Sequence, residues 1–257
     1  MTLAIAAIAA AIVAAGAWRA HALTRGGALA AFAVGTIAFG VGGWAGALVL
    51  FSFFLPATLL SRVGRARKRA LTDIGKQGAR DACQVLANGG VASIALLLAP
   101  RYGAPMAAAF AGAFAAAAAD TWATEIGTLA RGLPRSILTF RPLATGLSGA
   151  VTWQGTLAQC GGAAVVAAAA AGSHLAPLGP VLIGGIAGSL ADSIAGASVQ
   201  SLRYCPACAR DCEIDPHDCG TPTRLRRGVS WMTNDAVNLT ATLTGALVAA
   251  VLSHAPR

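Results

Sequence analysis

Long apolar stretches dominate the chain and constrain its fold more than any other feature. Eight can be marked, at approximately 2–18, 27–42, 44–61, 82–99, 105–130, 150–172, 178–200 and 234–253. A helix needs about 20 residues, and at least about 17, to cross the hydrocarbon core of a bilayer. The composition agrees, because only 11% of the residues are charged, whereas soluble domains carry about 25%. The sequence therefore predicts an all-α, polytopic transmembrane helical bundle, a single domain over residues 1–257.

The basic residues indicate how many stretches cross the membrane. If all eight cross, the loops after the first, third, fifth and seventh stretches lie on one face of the membrane. These loops hold 17 of the 19 Lys and Arg residues: two, seven, three and five, respectively. Only Arg101 and Arg257 then fall on the opposite face, whereas merging the second and third stretches would move Arg19 and Arg25 there as well. Because cytoplasmic loops are rich in Lys and Arg, we predict eight spans in the inner or plasma membrane, with both termini outside. Clustering of the basic residues in loops also argues against a nucleic-acid partner.

Acidic and amide side chains lie within or beside the apolar stretches, where spanning helices rarely carry them. They are Asp120 and Glu125 in the fifth stretch, Asp192 in the seventh, and Asn234, Asp235 and Asn238 at the start of the eighth. An ionisable side chain at the bilayer centre costs about 2.5–3.5 kcal/mol on insertion scales, so such residues indicate function.

On the eight-span topology, these polar groups share one depth near the cytoplasmic face. A further stripe opens the fourth stretch, where Asp81, Gln84 and Asn88 are spaced by three and four residues on one side of a helix. Four helices are therefore predicted to present polar side chains to a common cytoplasmic site.

Carboxylate oxygens are the ligands that Mg²⁺ takes beside substrate phosphates. We predict that Asp120, Glu125, Asp192 and Asp235 bind Mg²⁺ or phosphate-linked water, and that the amides of the eighth stretch orient them. Basic residues near the same face could bind phosphates, and they are Lys76, Arg80, Arg141, Arg224, Arg226 and Arg227. Phosphoryl transfer needs mainly positioning and charge neutralisation. The sequence has no GxxxxGK[ST] run, which excludes a P-loop enzyme.

The chain resembles a known integral membrane family in five segments: GGALAAFAVGTIAFGVGGWAG, GARDACQVLANGG, ADTWATEIG, GGIAGSLADSIAGASVQ and WMTNDAVN. That family includes transmembrane protein 19 and the plant phytyl-phosphate kinase, and it is related to phytol and dolichol kinases and to membrane cytidylyltransferases. The resemblance covers about Gly26 to Asn238. It implies transfer of a phosphoryl group from a nucleoside triphosphate, CTP in the plant enzyme, to an isoprenoid monophosphate of the prenyl or phytyl type.

One segment departs from the family's pattern. Its glycine-rich GTNGGVT loop reads GLSGAVT over residues 146–152, so that Leu147 replaces a hydroxyl residue and Ser148 an amide. Backbone N–H groups of such a loop can still bind phosphate, but the nucleotide preference stays open. Together the candidate substrate-binding residues are Lys76, Arg80, Asp81, Gln84, Asn88, Thr121, Thr124, Arg141, Gly146, Ser148, Gly149, Gln200, Arg224, Arg226 and Arg227.

A cysteine-rich insert over residues 203–228 separates the seventh and eighth stretches. In a reducing cytoplasm its thiols favour metal binding over disulfides, and zinc takes four ligands. Cys205, Cys208 and Cys219 are three predicted ligands, with His217 or Cys212 as the fourth. Prokaryotic members of the family carry a similar C-x-x-C…H-x-C-G insert, which favours His217. We predict a structural Zn²⁺ in this cytoplasmic loop.

Two other classes of function use the same residues. A transporter of ions or small molecules could use the acidic clusters as a path, but it would need polar residues near the midplane and on both faces. A zinc-loop scaffold without turnover would leave the acidic clusters without a role. A Mg²⁺-dependent phosphotransferase acting on a membrane lipid phosphate accounts for more of the sequence.

Overall fold

The computed structural model of the chain describes residues 2–66, 68 and 78–254. Seven helices of at least 17 residues lie in these ranges: α1 Leu3–Arg19, α2 Arg25–Leu60, α3 Ala82–Tyr102, α4 Ala104–Gly127, α5 Trp153–Gly172, α6 Leu178–Ser198 and α7 Asn234–His254. Six of them, all except α1, are long and apolar enough to cross a membrane. The helical, membrane-spanning character predicted from the sequence is therefore confirmed.

The long helix α2 folds back on itself at Gly43, whose φ of 58° and ψ of −146° are not helical. Glycine adopts a positive φ without the steric penalty of other residues. The ring centroids of Phe39 and Phe51 lie 5.7 Å apart, although twelve residues of straight helix would separate them by about 18 Å. The second and third apolar stretches are therefore the two packed halves of a helical hairpin.

The central helix is α4, which packs against α2, α3, α5, α6 and α7. Its residues 108–119 are all buried, and most of them are alanine. Small residues let helix backbones approach closely where no hydrophobic driving force acts between helices in lipid. A Cβ added to Gly112 would lie 2.5 Å from the carbonyl oxygen of Gly245 in α7, so this crossing requires glycine.

Short strands lie in the loops between helices. β1 (Arg135–Ser136) pairs with β2 (Ala150–Val151). The cysteine-rich insert forms an antiparallel sheet of β3 (Leu202–Cys205), β4 (Arg210–Cys212) and β5 (Arg224–Arg227), in the order β4–β3–β5. This sheet is a structured element that the all-α prediction did not include.

The loop after α1 lies against the segment before α3. The backbone N–H of Thr24 donates to the carbonyl of Arg80 at 3.0 Å, and the N–H of Arg80 donates to Ala22 at 3.0 Å. Residues at the end of α2, at the end of α4 and at the start of α7 line the same cavity as this loop. The two ends of α2 therefore lie at one end of the bundle, and the turn at Gly43 lies away from it.

Candidate functional site

Most of the predicted polar residues surround one cavity of about 440 Å³ at this end of the bundle. Its walls come from the ends of α2, α4 and α6, the starts of α3 and α7, and the loop before α5. The predicted residues among its lining are Arg80, Gln84, Asn88, Asp120, Thr121, Thr124, Glu125, Gly146, Ser148, Gly149, Asp192, Asn234 and Asn238. Residues that are distant in the sequence are thus brought together as the topology predicted.

Two carboxylates form the deepest acidic pair. Asp120 of α4 and Asp192 of α6 both line the cavity, with their side chains close enough to interact. Oδ2 of Asp192 is buried and has no hydrogen-bond partner among the described residues. Two ionised carboxylates this close repel each other, and a buried charge without a counterion is costly. A divalent cation between them would remove both penalties, so this pair fits the oxygen ligands that Mg²⁺ takes.

Glu125 has a different environment from the one predicted. Its carboxylate accepts a hydrogen bond from Nζ of Lys68 at 2.5 Å, and this ammonium also donates to the carbonyl of Leu60 at 2.8 Å. The negative charge of Glu125 already has a cation beside it. The sequence predicts that Glu125 binds Mg²⁺, and it indicates only a role in membrane orientation for Lys68, whereas the structure pairs the two.

Asp81 and Asp235 do not line the cavity. Asp81 caps α3: it accepts from the backbone N–H of Gln84, whose side chain accepts in return from the N–H of Asp81. Asp235 lies in the first turn of α7, where the helix dipole favours an acid. Its carboxylate falls in one group with Asp81 and Cys83, with ligand atoms within 4.8 Å of one another. This geometry therefore does not favour the binding of one Mg²⁺ by Asp235 together with Asp120 and Asp192.

The predicted phosphate-binding arginines of the insert also lie outside the cavity lining. Arg224, Arg226 and Arg227 form the exposed strand β5. Arg226 pairs with Asp211 at 2.5 Å, and Arg227 donates to the carbonyl of Gly196 at 3.1 Å. These contacts stabilise the sheet and its attachment to α6. Arg141 is exposed and does not line the cavity. Lys76, which was also predicted to bind phosphate, lies outside the described residues.

The cavity instead takes its positive charge from the segment between α2 and α3. Arg62, Arg65, Lys68 and Arg80 line it, and only Arg80 was among the predicted ligands. Burial lowers the pKa of Arg80 from its ordinary value, and the nearby charge of Glu125 opposes that shift. The signal for the others was present in the sequence as a basic run, but such runs are usual in cytoplasmic loops.

Glu213 is an acidic residue of the cavity that the sequence analysis missed. Its carboxylate accepts hydrogen bonds at 2.8 Å from the N–H of Ser148, the hydroxyl of Ser148 and Nε2 of Gln200. Burial raises the pKa of Glu213, and the hydrogen bonds from Ser148 and the charge of Arg227 oppose that shift. Gln200 does not line the cavity but supports it through these contacts.

Four donors of the insert are grouped as a metal site requires. The ligand atoms of Cys205, Cys208, His217 and Cys219 all lie within 4.8 Å of one another. The sulfurs of Cys205 and Cys219 are 3.6 Å apart, close to the separation of two sulfurs that each lie about 2.3 Å from one zinc. The sulfur of Cys212 points to the carbonyl of Ile214 instead. This geometry favours His217 over Cys212 as the fourth donor, and the donor set fits Zn²⁺.

An apolar cleft of about 90 Å³ adjoins the polar cavity. It lies between α1, both halves of α2, α3 and α4, and its lining includes five aromatic rings, those of Phe39, Phe51, Phe53, Phe54 and Phe114. Four residues line both spaces: Arg80, Gln84, Asn88 and Thr121. A molecule with a charged head and a hydrocarbon tail could therefore occupy both.

Comparison with known proteins identifies the family. The family described as Integral membrane protein DUF92 matches residues 8–246. This chain belongs to that family. The match confirms the resemblance that the five segments indicated, and its bounds enclose most of the helical bundle.

Three relatives of this DUF92 protein illustrate the range of the family. Protein PGR of Arabidopsis thaliana is 29% identical over 90% of this chain and 89% of its own length. Uncharacterized membrane protein MJ0933 of Methanocaldococcus jannaschii is 32% identical over 80% of this chain and 75% of its own. Uncharacterized membrane protein sll0875 of Synechocystis is 25% identical over 85% of this chain and 78% of its own. No solved structure matches the chain significantly.

Proposed function

We propose that this DUF92 protein is a Mg²⁺-dependent membrane phosphotransferase. It transfers the terminal phosphoryl group of a nucleoside triphosphate, with CTP as the expected donor, to an isoprenoid monophosphate. The observation that carries the proposal is one cavity that combines the Asp120–Asp192 pair with four basic residues and opens on an apolar cleft. The isoprenoid character of the acceptor and the choice of CTP rest on the family resemblance.

The chemistry follows from these charges. An oxygen of the lipid monophosphate attacks the γ-phosphorus, the bond from that phosphorus to the β–γ bridging oxygen breaks, and the nucleoside diphosphate leaves. Mg²⁺ held by Asp120 and Asp192 would neutralise charge on the triphosphate. The attacking phosphate is already ionised near pH 7, so it needs no general base. Arg62, Arg65 and Arg80 bind and orient the phosphates, and oriented charge is the main source of rate.

The apolar cleft supports a lipid acceptor over a soluble one. Its lining is hydrocarbon and aromatic apart from the residues that it shares with the cavity and Gly35 and Gly89. A hydrocarbon chain in the cleft lies among apolar side chains, as it does among lipid tails, so an acceptor in the bilayer reaches the cavity without exposing its chain to water. The head group then lies beside Arg80 and Thr121, at the boundary between the two spaces.

We also propose that each half of α2 crosses the membrane, which gives eight crossings with the cavity facing the cytoplasm. The hairpin at Gly43 supports this topology, since it places both ends of α2 at the basic end of the bundle. The start of α1 and the end of α7 then lie on the outer side. Each half of α2 is about as long as the shortest helix that spans a bilayer.

The transporter alternative needs a polar path through the bundle. Residues 108–119 of the central helix are buried and include no polar side chain. The polar lining of the cavity is confined to one end of the helices that the structure describes. A site that is open at one face suits an enzyme that takes a water-soluble donor and a lipid acceptor from the same side.

A two-substrate screen tests the proposal. Purified protein in lipid nanodiscs is incubated with Mg²⁺, each of CTP, ATP, GTP and UTP, and prenyl monophosphates of short and long chain. Formation of prenyl diphosphate with at least one pair supports the proposal. The absence of product for every pair, together with uptake of a solute into proteoliposomes, would support the transporter instead.

A further inference from the structure

The cysteine-rich insert reaches the cavity through one side chain. Glu213 directly follows Cys212, the last residue of β4, yet its carboxylate bonds to Ser148, which is 65 positions away in the chain. The carboxylate is fully engaged, with Ser148 donating two hydrogen bonds and Gln200 donating a third. Glu213 therefore joins the insert to the glycine-rich loop over residues 146–149.

Besides Glu213, the loop has two hydrogen bonds to other segments: the N–H of Ile137 donates to the carbonyl of Gly149 at 3.0 Å, and Nε2 of Gln200 donates to the hydroxyl of Ser148 at 2.8 Å. It also packs tightly where it touches α6. Gly149 has a φ of +79°, and a Cβ there would lie 2.5 Å from Ala197. A Cβ on Gly196 would lie 2.9 Å from both the backbone nitrogen of Gly149 and Cβ of Ser148. The loop is thus held between the end of α6 and Glu213, one turn beyond Asp192.

The fold of the insert determines where Glu213 lies. β4 pairs with β3, with Cys205 opposite Arg210 and Arg203 opposite Cys212. Cys205 at the end of β3 is also one of the four grouped metal donors. A metal bound by these donors would tie the end of β3 to the loop that carries Cys208, His217 and Cys219, and so would help to fix the hairpin that carries Glu213. It would add to the contacts that Arg226 and Arg227 already give the sheet.

We propose that Glu213 is a positioning residue, which the metal-binding insert supplies to order the glycine-rich loop of the cavity. Zinc in the insert thereby controls nucleotide binding at a distance, without contributing a ligand to the cavity. Removal of the metal, or oxidation of its thiols, frees Glu213 and loosens residues 146–149 while Asp120 and Asp192 stay in place. The nucleotide part of this inference rests on the proposed function, whereas the ordering of the loop does not.

Hydrogen exchange of residues 143–152 and binding of radiolabelled CTP with Mg²⁺ are measured for five proteins. They are wild type, Glu213→Gln, Glu213→Ala and the pair Cys205→Ser with Cys208→Ser, and the exposed Asp218→Asn is the matched control. We expect the cysteine pair to lose zinc, to exchange these amides faster, and to bind CTP about tenfold more weakly, the loss expected for a charged hydrogen bond. Glu213→Ala should show the same faster exchange and weaker CTP binding as the cysteine pair but should keep its zinc. Glu213→Gln should lie between Glu213→Ala and wild type in both measurements, and Asp218→Asn should equal wild type.

Each measurement tests a different part of the proposal. Unchanged exchange after the cysteines are replaced, or wild-type protein that holds no zinc, overturns the coupling. Unchanged exchange in Glu213→Ala overturns the role of this residue. If wild type does not bind CTP, CTP as the donor of the proposed function fails, and the exchange data still decide whether zinc and Glu213 order the loop.

Discussion

The ion pair of Lys68 and Glu125 gives a prediction that separates a structural role from a catalytic one. Replacing Glu125 with Gln removes the carboxylate that pairs with the ammonium of Lys68, whose side chain is only 11% exposed. Breaking a buried pair costs about 3–5 kcal/mol. Because Glu125 itself is 20% exposed, and because the bond from Lys68 to Leu60 remains, we expect the lower end, about 3 kcal/mol.

Removing both charges should restore most of that loss. Lys68→Met with Glu125→Gln replaces the pair with uncharged groups of similar size, which is often neutral or stabilising. The double-mutant cycle should therefore show a coupling energy of about 2 kcal/mol or more. Unfolding by SDS in mixed micelles, followed by tryptophan fluorescence, measures each free energy. The exposed pair of Asp211 and Arg226 is the control, and Asp211→Asn should cost less than about 1 kcal/mol.

One result would refute this reasoning. If Glu125→Gln unfolds like wild type and its affinity for Mn²⁺, used in place of Mg²⁺, falls at least tenfold, then Glu125 binds the cation. The assignment made from the sequence alone would then be correct, and the pairing with Lys68 would be secondary.

Three further predictions concern the insert, the cleft and the topology. Purified protein should carry about one zinc per chain by elemental analysis, and Cys205→Ser with Cys208→Ser should remove it; equal zinc in both would contradict the site. Ala31→Phe fills the apolar cleft, so KM for a long prenyl phosphate should rise about tenfold or more, with KM for CTP unchanged. Leu29→Phe, on the lipid-facing side of the same helix, should behave as wild type. Equal effects of the two substitutions would show that the prenyl chain binds elsewhere. Reporter fusions after residues 68 and 210 should read cytoplasmic and those after 43, 102 and 257 external, and a cytoplasmic readout after 43 would exclude eight crossings.

The helical bundle was predictable because the features that determine it lie in short, continuous segments of the sequence. Apolar stretches and the charge of the loops are read directly from the sequence, and the adjacent Gly42 and Gly43 separated two stretches that the structure folds against each other. The convergence of Asp120, Asp192 and Asn238 followed from topology, since residues near the same ends of neighbouring helices lie at one depth. The sheet in the insert was missed, because its strands are only three or four residues long and no apolar alternation indicates them.

The features of the site that the sequence did not indicate involve residues whose partners are far away in sequence. Lys68 and Glu125 are 57 positions apart, and no sequence pattern indicates that the basic loop supplies a counterion to a helix. Asp81 carried a visible signal, because an acid three residues before Gln at a helix start is a capping arrangement. Glu213 carried none, since an acid in a polar loop is usually exposed.

The most direct test of the central claim is the rate of prenyl diphosphate formation by Asp120→Asn and Asp192→Asn, with Asp218→Asn as the matched control. Each substitution keeps the size of the side chain and removes the charge that a Mg²⁺ site requires. The account predicts a loss of about a hundredfold or more in each, with an unchanged or raised Tm because a buried repulsion is relieved, and with full activity in the control. Wild-type activity in both variants would show that the reaction takes place elsewhere, and would contradict the account.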